Sequence, residues 1–267
     1  MAGYLHFRYD NTMKEGFELM TSKSYGYDPQ KHKTSEGWEI VKSLYDKNYL
    51  GVEGGEPVLP KKIHQIWLGS KLPLKYNKLT DTWKKHHPDW EYKLWTDSNV
   101  GDIELTKKDV FNFAKNNGMK SDILRYEILK QLGGLYIDTD FECLKPFDDL
   151  RYLEFITGVS YDAEMVLYIG LIGSVPCHNI TQLCVNSLNT RYDGDNAYAI
   201  MDATGPYYFT RCFLNGVDMN TKGVVAFPMD YFYPLPNNIR GTSTPYQYVR
   251  PCSYAIHHWD VSWIKSK

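Results

Sequence analysis

Two aspartates separated by one residue, Asp138 and Asp140, end a short apolar run that starts at a double glycine: Gly133-Gly134-Leu135-Tyr136-Ile137-Asp138-Thr139-Asp140. In an extended chain residues i and i+2 point the same way, so both carboxylates can face one ion. Hard divalent cations prefer oxygen ligands and share their coordination with substrate phosphates. A cation held there would stabilise negative charge growing on a diphosphate leaving group. The same spacing, taken alone, also describes a solvated acidic turn. The setting favours a metal, because the pair sits at the carboxyl end of an apolar strand. Upstream, Asp122 and Arg125 are three residues apart and share a face if the segment is helical. Asp122 offers acceptors to sugar or ribose hydroxyls, and Arg125 offers charged donors to a sugar or diphosphate. The plainer account of those two is a surface ion pair.

The elements that must position these groups follow from periodicity. Residues 63–68 read as a buried strand ending at Gly69, and 76–87 as a helix with Leu79 and Trp83 on one face. Residues 91–95 read as a strand. Thr106 and Asp109 resemble a capping box that opens a helix to about Asn116. The strongest helix is 121–132, stopped by Gly133, and 135–137 is a strand that runs into Asp138. Later, 169–174 reads as a strand, 178–188 as a helix, and Pro206 as the first turn of another. Alternating strands and helices predict an α/β fold, with a mainly parallel central sheet flanked by helices. Ligands then bind beyond the carboxyl ends of the strands. Residues 1–58 differ. They are polar and tyrosine-rich, with one helix capped by Ser35 and striped by Trp38, Val41, Leu44, Tyr45 and Tyr49, followed by a linker at Gly51, Gly54, Gly55 and Pro57. They are read as a small N-terminal helical appendage, with 59–267 as the main domain.

Composition narrows the function classes. A formal net charge of −2 gives no support for a nucleic-acid partner. Five cysteines, an odd number with no C-x-x-C pair, argue against a zinc cluster or a disulfide framework and for a reducing, cytoplasmic setting. No apolar run approaches the ~20 residues of a membrane span, and residues 1–10 lack a signal-peptide core. The 22 tyrosines, 11 phenylalanines and 7 tryptophans suit sugars and nucleobases, although core packing is the commoner use of any one of them.

Four strings, in their order and spacing, resemble glycosyltransferase family 32: Pro60-Lys61-Lys62-Ile63-His64-Gln65-Ile66-Trp67-Leu68-Gly69, Pro88-Asp89-Trp90-Glu91-Tyr92-Lys93-Leu94-Trp95-Thr96-Asp97, Ser121-Asp122-Ile123-Leu124-Arg125-Tyr126, and the run from Gly133 to Asp140. This is the family of DXD-motif sugar transferases that includes yeast initiating α-1,6-mannosyltransferases and bacterial capsule or lipopolysaccharide enzymes. The chain is also similar to the catalytic core of the clostridial glucosylating toxins. The likeness is strong over 58–150, weaker toward the C-terminus and absent over 1–57. It implies a GT-A fold that binds a nucleotide-sugar. The activity implied is retaining transfer of a hexose from a UDP- or GDP-sugar to a hydroxyl of a glycan or other acceptor. The cofactor implied is Mn2+ (or Mg2+), and the role is in polysaccharide biosynthesis.

By that likeness Trp67, with Leu68 beside it in the donor site, stacks on the nucleobase. Asp122 and Arg125 bind the sugar and ribose region, and Tyr136 approaches the nucleotide or diphosphate. Asp138 contacts ribose and a metal-bound water, and Asp140 binds the metal directly. A late histidine completes the metal shell, with His257 favoured over His258, and Ser262 and Trp263 close over the diphosphate. Asp138, Asp140 and Arg125 form the implied catalytic set. Asp202 and Asp230 are conceivable carboxylates near the sugar without an assigned role. Residues 201–206 read as an ordinary helix start and 231–234 as core. A nucleotide-sugar hydrolase, or an inactive sugar-binding or structural protein on the same fold, competes with the transferase reading. The yeast members carry a membrane anchor that is not seen in this sequence.

Overall fold

The computed structural model describes residues 14–161, 164–190 and 196–260. Helices α1 (Phe17–Ser22), α2 (Pro29–His32) and α3 (Trp38–Tyr45) come first, and α3 continues into a wider turn over Asp46–Leu50. Strand β1 (Lys62–Ile66), α4 (Leu74–His86), β2 (Glu91–Trp95), α5 (Lys108–Phe113) and α6 (Asn117–Leu132) follow, leading into β3 (Gly134–Ile137) and β4 (Phe141–Cys143). The chain continues through β5 (Phe155–Tyr161), β6 (Met165–Ser174), α7 (Asn179–Asn186), α8 (Ala197–Ala203), α9 (Pro206–Gly216), β7 (Val224–Phe227) and β8 (Ala255–His257).

Six strands form one sheet in the order β2-β1-β3-β6-β5-β7. The pairs β1–β2, β1–β3 and β5–β7 are parallel, whereas β6 runs against both β3 and β5. The expected α/β class therefore holds, with a mainly parallel sheet that one reversed strand makes mixed. Because β6 reverses twice, β3, β5 and β7 run the same way, and their carboxyl ends share one edge of the sheet. The central strands β5 and β6 are buried along their whole described length, so neither shows the alternation of polar and apolar residues that marks a half-exposed strand.

The double glycine is a steric requirement. Gly133 and Gly134 have φ of 61° and 95°, and a Cβ on Gly134 would lie 2.6 Å from the Lys62 carbonyl oxygen. Only glycine lets α6 turn into β3 this close to β1. A second, two-stranded ribbon pairs β4 with β8, placing Phe141 opposite His257. It ties the residue after Asp140 to the end of the described chain.

Residues 14–50 lie on the β7 side. Phe17, Trp38, Val41, Leu44 and Tyr45 are fully buried and join the same apolar cluster as the sheet. The Asn48 side-chain amide donates to the carbonyls of Thr221 and Val224, and the hydroxyls of Tyr45 and Tyr231 meet at 2.8 Å.

Two expected caps are not formed. The N-cap of α3 is Gly37, with φ 84°, and the Ser35 hydroxyl instead accepts from the Met165 amide. At α5 the cap position is Lys107 without a side-chain bond, and the Thr106 hydroxyl donates to Glu127 on α6. In both cases a long-range acceptor or donor outcompetes the local one. Helix α6 starts earlier than the expected residue 121, because Asn116 accepts from the Met119 amide and caps it.

Candidate active site

Strand β3 carries Asp138 off the sheet edge, and the turn before β4 holds Asp140. A ligand atom from each of Asp138, Asp140 and His257 lies within 4.8 Å of the others. Asp140 is buried; its Oδ2 lies 3.0 Å from His257 Nε2 and accepts from the Asp260 amide at 2.8 Å. Burial opposes charge on Asp140, but His257 beside it and these hydrogen bonds hold its carboxyl below the ordinary range. The His257 ring stacks on Phe141, with centroids 4.3 Å apart and 9° between planes. Its Nδ1 is buried with no hydrogen-bond partner. His258 points elsewhere, onto Glu142 at 3.0 Å.

Asp138 is the more open of the pair, its side chain 30% exposed. It accepts from the Tyr136 hydroxyl at 2.6 Å and lies 3.3 Å from Arg125 Nη1. On the other side, Gly170 of β6 leaves no room for a methyl group: a Cβ there would sit 2.9 Å from Asp138 Oδ2.

Helix α6 places Asp122 and Arg125 on one buried face, with Arg125 Nη2 and Asp122 Oδ1 2.8 Å apart. Arg125 Nη1 also donates to the Ile169 carbonyl at 2.7 Å, and the guanidinium lies over the Tyr136 ring at 4.4 Å. Asp122 accepts from the Thr204 hydroxyl at 2.9 Å. Burial pushes the Asp122 carboxyl up to about 6, against the pull of Arg125 and Thr204. The surface ion pair that spacing alone suggests is therefore a buried one, and Arg125 bridges Asp122 to Asp138. Tyr136 is buried, with its ring beneath Arg125 and its hydroxyl on Asp138, so it backs the carboxylate.

Trp67 follows the end of β1 and is half-buried; its indole N–H donates to Ser70, and its ring meets Tyr76 at 5.0 Å. Leu68 is buried, and its carbonyl accepts from the Asn117 side chain. Asp260 ties this side to the metal-like cluster: its amide holds Asp140, while its carboxylate takes Lys75 and the Tyr76 hydroxyl. Asp202 pairs with Arg211 on the surface. Asp230 is buried on Ser24 and Arg250. Ser262 and Trp263 lie outside the described residues.

Sequence reasoning missed Thr204, Gly170, Tyr76 and Asp260. Each reaches the site through a distant part of the chain, and none sits in a motif that names its partner.

Residues 73–155 match the family described as the glycosyltransferase sugar-binding region containing a DXD motif. Within that stretch the motif is Asp138-Thr139-Asp140, and the resemblance to DXD-motif sugar transferases stands. Among similar proteins, inositol phosphoceramide mannosyltransferase 2 of Schizosaccharomyces pombe is 33% identical over 164 residues, covering 57% of this chain and 45% of that protein. Mannosyl phosphorylinositol ceramide synthase CSH1 of Saccharomyces cerevisiae is 31% identical over 173 residues, covering 59% of this chain and 43% of that protein. The chain thus spans less than half the length of these relatives. A solved structure of PaToxG glycosyltransferase superposes with a TM-score of 0.48 at 21% identity, covering 67% of this chain and 74% of that one. Among the described residues no helix is long and apolar enough to cross a membrane.

Proposed function

We propose that the chain is a metal-dependent, GT-A-type hexosyltransferase. It would move a hexose from a UDP- or GDP-sugar to a hydroxyl of a glycan or other acceptor, with retention at the anomeric carbon. The observation that carries this reading is the convergence of Asp138, Asp140 and His257 at the carboxyl end of β3. The donor set fits the proposed ion: two carboxylates suit Mg2+ or Mn2+, the imidazole favours Mn2+, and His257 turns its Nε2 toward Asp140 at 3.0 Å. When bound, the cation neutralises charge on the departing diphosphate.

The remaining roles fall to the chain itself. Arg125 and Tyr136 hold Asp138 in place from behind. Asp122, fixed by Thr204 and Arg125, gives sugar hydroxyls a preset acceptor. Trp67 offers a ring face to the nucleobase. With no side chain assigned as nucleophile, the acceptor hydroxyl attacks from the leaving-group face. Its oxygen bonds to the anomeric carbon, the bond to the phosphate oxygen breaks, and that oxygen takes the proton. Residues 1–58 are read as an appendage to the transferase domain, a reading supported by a family match that begins at residue 73. The five unpaired thiols support a cytoplasmic setting.

The test is nucleoside diphosphate release from UDP- and GDP-sugars with Mn2+, with and without glycan acceptors. Release that needs Mn2+, rises with acceptor and vanishes in Asp140→Ala is expected. Release unaffected by chelator and by Asp140→Ala sinks the reading, and release indifferent to acceptor turns it into a hydrolase.

A further inference from the structure

A cleft of about 380 Å3, lined by Tyr25, Asp230, Pro234, Gln247, Tyr248 and Arg250 among others, has no part in the roles assigned above. Its position follows from the sheet. Strands β3 and β7 point the same way, and Asp230 comes three residues after the last residue of β7, so it stands on the same edge as Asp138. Three strand steps separate them, about 14 Å at the usual spacing between strands. The ground between is aromatic. Trp259 donates its indole N–H to Leu235, next to Pro234 of the cleft, at 2.7 Å; its ring meets His257 at 4.1 Å and Tyr168 at 5.2 Å. Trp259 has φ 57°, a left-handed conformation that a tryptophan holds only when its surroundings impose it.

The cleft's chemistry matches a sugar ring. Tyr25 is half-exposed, and its ring meets that of Tyr248 edge-on at 6.2 Å. Aromatic faces take the C–H face of a pyranose, while a few fixed polar groups meet its hydroxyls. Those polar groups are built in. Asp230 is buried, held by the Ser24 hydroxyl at 2.6 Å and by Arg250 Nε at 3.2 Å, and Arg250 is fixed in turn on the Lys23 carbonyl. Three segments meet here: the stretch after α1, the turn after β7, and residues 247–250. All lie outside the DXD region at 73–155. This is where an acceptor-specific feature would be expected, because the carboxylates and the arginine of the donor site, Asp122, Arg125, Asp138 and Asp140, are in the matched stretch.

We propose that this cleft is an acceptor subsite for a neutral oligosaccharide: Tyr25 and Tyr248, in edge-on contact, together form the aromatic wall for one ring, and Gln247 and Arg250 take its hydroxyls, with buried Asp230 holding Arg250 in place. At this distance from Asp138, the ring bound is not the one that reacts but one further along the acceptor. The proposal rests on the transferase reading, and its test keeps the two apart.

Binding of α-mannotriose, maltotriose, cellotriose and chitotriose, and of methyl α-mannoside, is measured by calorimetry on the full chain. Thermal shifts with UDP and with GDP plus Mn2+ run alongside. At least one trisaccharide is expected to bind more tightly than the monosaccharide. Tyr248→Ala should weaken it about tenfold, as expected for loss of one aromatic contact. Gln247→Ala should weaken it less, and both variants should keep the wild-type nucleotide shift. Failure of all four trisaccharides to bind overturns the proposal, and so does unchanged affinity in both variants. Absence of any nucleotide shift in the wild type overturns the transferase reading, while trisaccharide binding lost in Tyr248→Ala still establishes the cleft as a sugar site.

Discussion

The two halves of the sheet's carboxyl edge are held by different physics. At β3 the protein buries charge: Asp122, Arg125 and Asp140 are each less than a tenth exposed, and each is satisfied by another polar group. Beyond β7 it buries aromatic surface: Phe17 meets Trp38 and Tyr45 edge-on, and Tyr45 and Tyr49 stand against Phe227 and Tyr231. Removing ions from water costs several kcal/mol each and is repaid only by well-placed partners, so the β3 end fixes geometry rather than adding stability. Aromatic burial is directly favourable. On the proposed function, the contrast separates the residues that would set chemistry from those that keep the sheet edge closed.

The largest effect should come from opening either end. Arg125→Met strands Asp122 without its cation and should destabilise by about 3–5 kcal/mol. Trp38→Ala opens a cavity at the other end and should cost a similar ~3–5 kcal/mol. Denaturant titration measures both. The comparison is in their activity at low temperature: on the proposed function, the folded fraction of Trp38→Ala is expected to keep Mn2+-dependent turnover and that of Arg125→Met to lose it. Equal loss of turnover per folded molecule would erase the distinction.

A smaller effect concerns the floor of the polar end. His64 on β1 sets Nε2 against the Gly133 carbonyl at 3.0 Å and accepts at Nδ1 from the Trp95 indole, so both ring nitrogens are used by the neutral form. Burial lowers its pKa to about 4. The unfolded chain therefore takes up a proton near pH 6.5 and the folded chain only near 4. The associated stability is complete above pH 6.5 and is lost as pH falls toward 4, by about 3 kcal/mol for a shift of this size. His64→Gln should flatten the stability profile between those pH values. An unchanged slope would mean that other groups control the acid limb.

The polar end was also the more legible in the sequence. Asp122 and Arg125 share a helix face by spacing, and Asp138 and Asp140 follow one strand; the likeness to DXD-motif transferases is what joins the two pairs. What could not be read was non-local. Thr204 reaches Asp122 across 82 residues, and Asp260 reaches Asp140 across 120. The β4–β8 ribbon that delivers His257 has only three residues on each strand, too short for alternation to show. Strands β5 and β7 escaped for the opposite reason: they are buried on both faces and carry no polar period to mark them. The expected caps at Ser35 and Thr106 failed because each hydroxyl found a tertiary partner.

Trp67 offers the finest test, because it sits where the two kinds of contribution meet. It is half-buried, its N–H is already taken by Ser70, and one side of its ring meets Tyr76. If the β3 end is built for chemistry, its ring should matter more to the nucleotide than to the fold. Trp67→Ala should then weaken nucleotide binding by about 1–3 kcal/mol, the worth of one base stacked on an aromatic ring, while the midpoint of unfolding moves little. Trp67→Phe should recover most of the binding, since a phenyl face still stacks, although it cannot donate to Ser70. Titration with UDP and GDP in Mn2+ reads both variants. A Trp67→Ala protein that binds nucleotide like the wild type but unfolds far more easily would place Trp67 with the aromatic core instead.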